Sequence, residues 1–433
     1  RSPSRGLGDV YKRQGKLEGS FPLSRMPPVL LGYGKDRESS SRVLVPASAL
    51  KLFVTINPLL PPPKDEERER LTTRDAKMQE FAKGWVKATA KGDRHVRAFA
   101  PGSDGERTFL CRFVRPQNPP DEMRGSVSQV LRFVSQVPFL DDAALDGGSL
   151  DVWNTSDSFL ELGAGDQEEH ALLLCNYLLA MGKEAYVVLG SGIPEGLTSY
   201  VLTLDGTSPV LYNACTGLSW TADQLERCPL TSVGCVFNDK NIWANIGYSS
   251  LPKDMIWNLI DEKHWRPFFG NGGFPPPATL QSVQKATLTY SRTTESFRLE
   301  IERDVYEALQ RDVEEQRGFR PTDWNRSANA KLKELLKRFE EDAAGVKPLS
   351  AGEHDTALER ISATYRIVGL PINMPYTDRS AILKRVRETN IFMASAKKIQ
   401  FALAVYVHAY PNQLCSVWVY AASLEDLRTG AKE

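Results

Sequence analysis

The residues of this chain that could supply a nucleophile are its six cysteines, scattered along 433 positions at Cys111, Cys175, Cys215, Cys228, Cys235 and Cys415. None forms a Cys-x-x-Cys pair, and Cys228 and Cys235 have no histidine beside them, so their spacing does not predict a zinc site. Because a small disulfide scaffold carries its cysteines much more densely, we interpret these as reduced thiols of an intracellular protein.

A helix over residues 167–181 is the element best placed to position such chemistry. Asp166, followed three residues later by Glu169, is typical of a capping box, and Gly182 is a typical helix stop. His170 lies about 140° around this helix from Cys175, so the imidazole and the thiol do not face each other. We therefore interpret Cys175 as a small buried side chain.

Short β-prone segments follow this helix. They are predicted at residues 185–190, 199–204, 209–213, 233–237 and 241–246, and Asp205-Gly206 is a typical turn between the second and third. This order of one helix and then strands resembles a papain-like cysteine-hydrolase core, and in particular the transglutaminase-like superfamily. In active members of that superfamily, the resemblance implies, a Gly-x-Cys sequence opens the helix, a His begins one strand and an Asp ends the next.

When that pattern is matched to this chain position by position, other residue types occupy the three catalytic positions. Gln167 occupies the nucleophile position after Gly165-Asp166, Thr198 the position of the His, and Asn213 that of the Asp. A Gln amide is not a nucleophile, and a Thr hydroxyl is not a base at neutral pH. Losing such a triad removes most of its roughly million-fold contribution, so we expect an inactive, degenerate core and no enzymatic activity.

The groove that once held substrate could instead bind a partner. We expect it to be lined by Gln167, Trp153, Thr198, Tyr200 and Asn213 and to accept a protein, for example a tubulin tail or another peptide. The alternative hypothesis is an active cysteine hydrolase or transglutaminase that uses an offset cysteine, Cys175 or Cys215.

Composition limits the remaining possibilities. The 54 basic and 54 acidic side chains give a net charge of zero, which argues against a whole-chain nucleic-acid binder. No apolar run approaches the ~20 residues of a transmembrane span. The glycines of residues 190–196 are interrupted by Pro194 and followed by a strand, and no GxxxxGK[ST] motif occurs. We predict no cofactor and no metal.

Several strings together resemble one family: NPPDE (118–122), VSQVPFLDD (134–142), GDQEEHALLLCNYLLAMGKEAYVVLG (165–190), IPEGLTSYVLT (193–203), NDKNIWANI (238–246), GLPINMPYTD (369–378) and SVWVYAASL (416–424). In this order they are similar to the C-terminal part of the coiled-coil and C2 domain-containing protein 2A family of the ciliary transition zone. The resemblance runs from about residue 43 to about residue 428.

The resemblance implies a non-enzymatic scaffold at the cytoplasmic side of the transition zone and basal body. Such a scaffold would support cilium assembly and the ciliary gate beside other transition-zone proteins such as tectonics. It also implies that the chain begins within a C2 β-sandwich, whose calcium-binding loops cannot be carried over, and that the chain is a fragment of a longer protein.

The predicted fold class is α+β, with a degenerate transglutaminase-like core, flanking helices, a C-terminal β-hairpin and a preceding C2 remnant. Helices are predicted at 294–316, 325–341, 351–365 and 379–389, and one is predicted to begin within 255–269. The predicted domains are an irregular or adaptor-derived segment (1–42), the closing C2 strand and linker (43–63), the inactive core (64–270), a Gly/Pro-rich connector (271–293), a helical region (294–390) and C-terminal strands (391–433).

Overall fold

The computed structural model describes residues 65–92, 94–103, 105–140, 152–270, 272–350, 352–395 and 399–426, together with short strands between residues 16 and 55. The chain divides into two compact units. The first contains the described residues up to Pro119 and Phe139–Leu288, and the second contains Pro120–Pro138 and the described residues from Thr289 onward. The second unit is therefore discontinuous in sequence.

The α-helices in these ranges are α1 (Asp65–Thr89), α2 (Val127–Ser135), α3 (Ser156–Leu162), α4 (Gln167–Ala180), α5 (Glu295–Arg317), α6 (Arg326–Ala343), α7 (Glu353–Ser362) and α8 (Arg379–Glu388). None of them combines the length and the hydropathy that a membrane-crossing helix needs.

Strands alternate with these helices. Those before α1 are β1 (Lys16–Pro22), β2 (Ser24–Arg25), β3 (Leu30–Leu31), β4 (Tyr33–Lys35), β5 (Leu44–Pro46) and β6 (Ala49–Thr55). Those of the rest of the first unit are β7 (Phe99–Pro101), β8 (Arg107–Phe109), β9 (Glu184–Gly192), β10 (Gly196–Asp205), β11 (Ser208–Asn213), β12 (Leu218–Thr221), β13 (Leu230–Phe237), β14 (Ile242–Asn245) and β15 (Trp265–Pro267). Those of the second unit are β16 (Tyr365–Pro375), β17 (Ile399–Ala409) and β18 (Cys415–Asp426).

The first unit is built on a seven-stranded antiparallel sheet in the order β12-β11-β10-β9-β13-β14-β15. The central strands β9 and β10 are buried along most of their length, as expected when both faces of a sheet are covered. Helix α4 packs against β9 and β10. The sheet and α4 confirm the predicted helix and the predicted strands that follow it.

Residues 255–269 correct one prediction, because no helix forms there. Asn258 and Asp261 instead accept hydrogen bonds from the backbone N–H groups two residues ahead, at Ile260 (3.2 Å) and Lys263 (3.0 Å). Such local side-chain bonds offer the backbone an alternative to a helix. The segment then ends in β15, which pairs with β14.

The second unit has a three-stranded antiparallel sheet in the order β16-β18-β17, with α5 and α6 packed against it. The predicted C-terminal hairpin is confirmed as β17 and β18. Strand β16 was not predicted, since it lies in the region expected to be helical. Pro371 and Pro375 are incompatible with a helix interior but are tolerated on an edge strand, which is the position of β16.

Buried side chains hold α2 in the second unit, although its sequence lies inside the predicted core. Arg132 forms an ion pair with Glu340 of α6, joined by Nη2 and Oε2 at 2.6 Å. Glu340 also accepts hydrogen bonds from Tyr410 (2.5 Å), Ser416 (2.8 Å) and Trp418 (2.5 Å). A charge pair this well hydrogen-bonded costs far less to bury than either charge alone.

Two further boundaries differ from the prediction. The first half of the expected connector belongs to the first unit, where Gln284 donates to the carbonyl of Phe113 (2.7 Å) and accepts from the N–H of Ser156 (2.9 Å). Within the segment expected to be irregular, β1 pairs with β6. The sequence of β1, KLEGSFP, alternates as strands do. That β6 closes a C2 sandwich stays a prediction, and residues 1–15 and 56–64 lie outside the described residues.

Candidate functional site

The first turn of α4 forms the helical side of the candidate site. Asp166 caps the helix by accepting the N–H of Glu168 (3.0 Å), and Glu169 accepts the N–H of Asp166 (3.0 Å), which completes the predicted capping box. Gly165 precedes the cap in close contact with Phe159. A Cβ at Gly165 would lie 2.7 Å from that ring, so the glycine is required by packing.

Glu169 also ties the helix to the segment before α3. Its Oε1 accepts the backbone N–H of Asn154 at 2.8 Å, and the side chain is buried. Burial, together with the charge of Asp166, raises the pKa of the Glu169 carboxyl well above its usual value. A buried carboxyl at this helix end supplies no positive charge, which a thiolate would need beside it.

The strand side of the site is formed by β10 and β11. Ser199 Oγ donates to Glu168 Oε1 at 3.0 Å, so the start of β10 lies against the first turn of α4. Thr198, just before it, is buried at 3% exposure, whereas Gln167 is half-buried. The structure thus brings the Gln167 and Thr198 positions to the same helix–strand junction.

Asn213, at the end of β11, uses its side chain to hold the local structure. Its Oδ1 accepts the N–H groups of Cys215 and Thr216, both at 3.1 Å, which fixes the turn after the strand. Its Nδ2 donates to the Tyr200 hydroxyl (3.0 Å) and to Glu195 (3.2 Å). The amide's hydrogen bonds therefore brace the turn and the neighbouring strand.

Trp153 and Tyr200 are corrections to the expected groove. Trp153 is 1% exposed, and its ring packs between those of Phe113 (centroids 5.4 Å apart) and Phe237 (6.1 Å). Tyr200 is fully buried, 6.1 Å from the ring of Trp220. Both are core side chains, because aromatic rings of this size gain most when removed from water.

Every cysteine of the chain has a thiol pKa raised by burial. The pKa reaches about 11 at Cys228 and Cys415 and about 12 at Cys235, and it is also raised at Cys111, Cys175 and Cys215. A reactive cysteine needs the opposite shift, since the thiolate is the nucleophile.

The two cysteines of the alternative hypothesis show this most clearly. Cys175 is completely buried in α4, and burial followed by the charge of Asp239 raises its pKa. Cys215 lies near the helix end, where burial and then the charges of Glu168 and three further carboxylates raise its pKa. Both shifts disfavour the thiolate form.

Glu195 is the residue of this site that the sequence did not indicate. It sits in the turn between β9 and β10, and its Oε1 accepts hydrogen bonds from Asn213 (3.2 Å) and Tyr200 (3.4 Å). Its Oε2 is buried and has no hydrogen-bond partner within the described part of the chain. The contact forms because β10 pairs antiparallel with β11, which places the turn before β10 beside the end of β11, and no local pattern signals it.

Exposed apolar side chains surround these positions. Leu197 is 62% exposed directly before Thr198, and Leu218, 56% exposed, pairs with Asn213 across β11 and β12. Phe139, 44% exposed, forms a bridge with Gly165. Apolar exposure beside carboxylates favours binding of an apolar or basic segment, and an acidic peptide would be repelled.

Each unit contains a region that matches a known family model. The family model described as the CEP76 peptidase-like domain matches residues 151–268, and that of the C-terminal domain of the centrosomal protein of 76 kDa matches residues 294–424. The first match agrees with the α+β class and the transglutaminase-like order of helix and strands.

Two curated relatives match more of the chain. Protein CC2D2B of Homo sapiens is 32% identical over 95% of this chain and 29% of its own length. The coiled-coil and C2 domain-containing protein 2A of Drosophila melanogaster is 28% identical over 77% of this chain and 25% of its own length. The chain thus spans less than a third of either relative.

Among solved structures, calcium-bound Legionella pneumophila LapG matches 39% of this chain and 86% of its own, at 18% identity and a TM-score of 0.25. An overlap this limited carries no argument about the site.

Proposed function

The chain belongs to the family of coiled-coil and C2 domain-containing proteins 2A and 2B, and from that premise we propose that it is a non-enzymatic interaction module of the ciliary transition zone. The family models named for a centrosomal protein support a role at the centrosome or cilium. We place the chain at the cytoplasmic side of the transition zone and basal body, beside other components of that assembly such as tectonics.

The observation that carries the non-enzymatic part is the state of the thiols around the helix end. The nucleophile position holds Gln167, and the nearby thiol of Cys215 has its pKa raised by burial and by surrounding carboxylates. A hydrolase of this fold needs a cation beside its sulfur to favour the thiolate. Carboxylates at that place have the opposite effect.

Thiol labelling tests this part. At neutral pH we expect iodoacetamide to modify no cysteine of the folded protein faster than a free thiol of ordinary pKa, and all six in denaturant. One cysteine that reacts faster in the folded protein than in denaturant, identified by peptide mapping as Cys175 or Cys215, would establish the enzymatic alternative instead.

The interaction part rests on the surface around the same positions. Gln167 is half-buried and follows the Gly165 position that Phe139 bridges, and both Phe139 and Leu197 expose apolar side chains. A partner segment with apolar and basic side chains fits that chemistry. The fold of the ancestral hydrolase is thereby retained for binding.

Replacing Gln167 by Arg tests the interaction part. The added guanidinium neutralises the local carboxylates and occupies the space beside them, so we expect recovery of tectonics with the full-length protein to fall. The control is Gln281→Arg, which makes the same chemical change at an exposed position outside the site. Equal recovery with both variants would remove this surface from the proposal.

A further inference from the structure

A second groove in the first unit is separate from the helix end of α4. It lies between the C-terminal half of α1 and the chain that enters β7 and β8, and it has a volume of about 470 Å³. That size is within the range of sites that bind ligands in proteins. Nothing in the proposed function uses it.

The charged side chains that line this groove all have the same sign. They are Lys83, Lys87, Arg97 and Arg107, and each charged residue among the described lining residues is a cation. Lys83 also pairs with Glu80 at 2.8 Å, but both side chains are about three-quarters exposed, and such a surface pair is worth little. Arg97 lies over the ring of Trp153.

Two of these cations have side chains without a partner among the described residues. Lys87 and Arg107 are exposed, and neither side chain forms a hydrogen bond or an ion pair within the described ranges. Lys83 and Lys87 are four residues apart on α1, so they share a helix face and project side by side. The groove therefore has a row of cations along the helix and further cations from the strands opposite.

The floor between the cations is apolar. Ala82 and Ala98 are buried there, while Val86 and Phe99 are only half-buried and remain open to the groove. A recessed apolar floor is unsuited to a flat membrane surface, which meets projecting side chains. An apolar floor also offers no hydrogen bonds to the sugar–phosphate backbone of a nucleic acid, so a bound nucleic acid would leave most of the floor without contacts.

We propose that this groove binds an acidic peptide segment of a partner protein, with carboxylates on Lys83, Lys87 and Arg107 and an apolar side chain on Phe99. Charge complementarity decides the occupant, because a groove whose described charged residues are all cations attracts anions and repels basic segments. The apolar floor requires that the anionic ligand also carry a hydrophobic side chain. The site described above is of opposite charge, so the two surfaces select different segments.

Binding of a labelled synthetic peptide to the whole chain tests the proposal. The probe is a fluorescein-labelled run of glutamates around a central Leu-Phe pair, followed by fluorescence anisotropy at low and at physiological salt. We expect saturable binding that weakens as salt screens the charges. A peptide with glutamine in place of every glutamate should not bind.

Charge reversal in the groove provides the specific test. For the double variant Lys87→Glu/Arg107→Glu we expect the Kd to rise at least about tenfold, equal to about 1.4 kcal/mol. The control is Lys77→Glu, because Lys77 is exposed on the same helix but about 120° around the axis from Lys83 and does not line the groove. The side chains of Lys87 and Arg107 are exposed, so their replacement should leave the fold intact. A circular dichroism spectrum identical to that of the unaltered chain would check this for each variant.

Three outcomes would overturn the proposal. These are no binding of the acidic peptide by the unaltered chain, an equal loss with Lys77→Glu, and binding of anionic phosphatidylserine vesicles or RNA where the peptide fails. The last would assign the cations to a membrane or a nucleic acid. None of these results bears on the Gln167 surface.

Discussion

Replacing Glu340 by Gln should selectively destabilise the second unit. The change keeps the shape of the side chain but removes the negative charge that neutralises Arg132, whose guanidinium is itself buried. Breaking a buried ion pair by removing one partner costs about 3–5 kcal/mol, since the other charge stays buried without compensation.

The pKa of Glu340 gives a second route to the magnitude. Burial by itself would raise this pKa, but hydrogen bonds and charge from Arg132, with further donors in Trp418 and Tyr410, outweigh burial and lower it from 4.5 to about 2. That difference corresponds to about 3 kcal/mol of stability at neutral pH, because each tenfold change in the acid dissociation constant is worth about 1.4 kcal/mol. The two routes agree.

The pH dependence follows from the direction of this shift. A carboxyl with a lowered pKa contributes its full stabilisation at pH values above its pKa in the unfolded chain, 4.5. This stabilisation is lost as the pH falls towards the pKa in the folded protein, about 2. The stability difference between the unaltered chain and Glu340→Gln should therefore shrink across that window, because a protonated Glu340 resembles Gln.

Hydrogen exchange is the suitable assay, since a chain of two units need not unfold in one step. We expect faster exchange in peptides from β17 and β18 of Glu340→Gln and little change in β9 and β10. Glu334→Gln, at an exposed position of the same helix, is the control and should change stability by less than about 0.5 kcal/mol. Equal effects of the two variants, or a difference that persists at pH 2, would refute the reasoning.

Two further substitutions test the packing around the candidate site. Gly165→Ala should destabilise the first turn of α4 by about 1–3 kcal/mol, because the new Cβ would lie 2.7 Å from the Phe159 ring. The control is Gly84→Ala, whose Cβ would have no atom within 4 Å and which should stabilise α1 by up to about 1 kcal/mol. Urea unfolding compares the free energies of unfolding of the two variants. Trp153→Ala should cost about 3–5 kcal/mol in the same measurement if the ring is part of the core. A loss of less than about 0.5 kcal/mol in the free energy of unfolding would instead indicate that Trp153 lies in the wall of the groove, as the sequence predicted.

Local signals accounted for what the sequence could predict. The Asp166–Glu169 pair and Gly182 mark the two ends of α4, and alternating segments mark the strands that follow. These features depend on neighbours within a few residues, so periodicity and capping chemistry were sufficient.

Contacts distant in sequence account for what was missed. Strand β16 exists because β18 pairs with it, and the position of α2 depends on Glu340. Glu195 reaches Asn213 only because β10 pairs with β11. Trp153 was expected at a groove, but its ring stacks on Phe237, a residue more than 80 positions away in the sequence.

The discontinuity of the second unit has a consequence for synthesis of the protein. Arg132 and Glu340 are 208 residues apart in the chain. At about 5–20 residues per second, a ribosome needs roughly 10–40 s to make the second after the first. During that time the amphipathic segment around Arg132 has been synthesised without its counterpart. A proteolytic cut between Pro138 and Thr289 would leave the two ions on different polypeptides, and a truncation there would delete one of them.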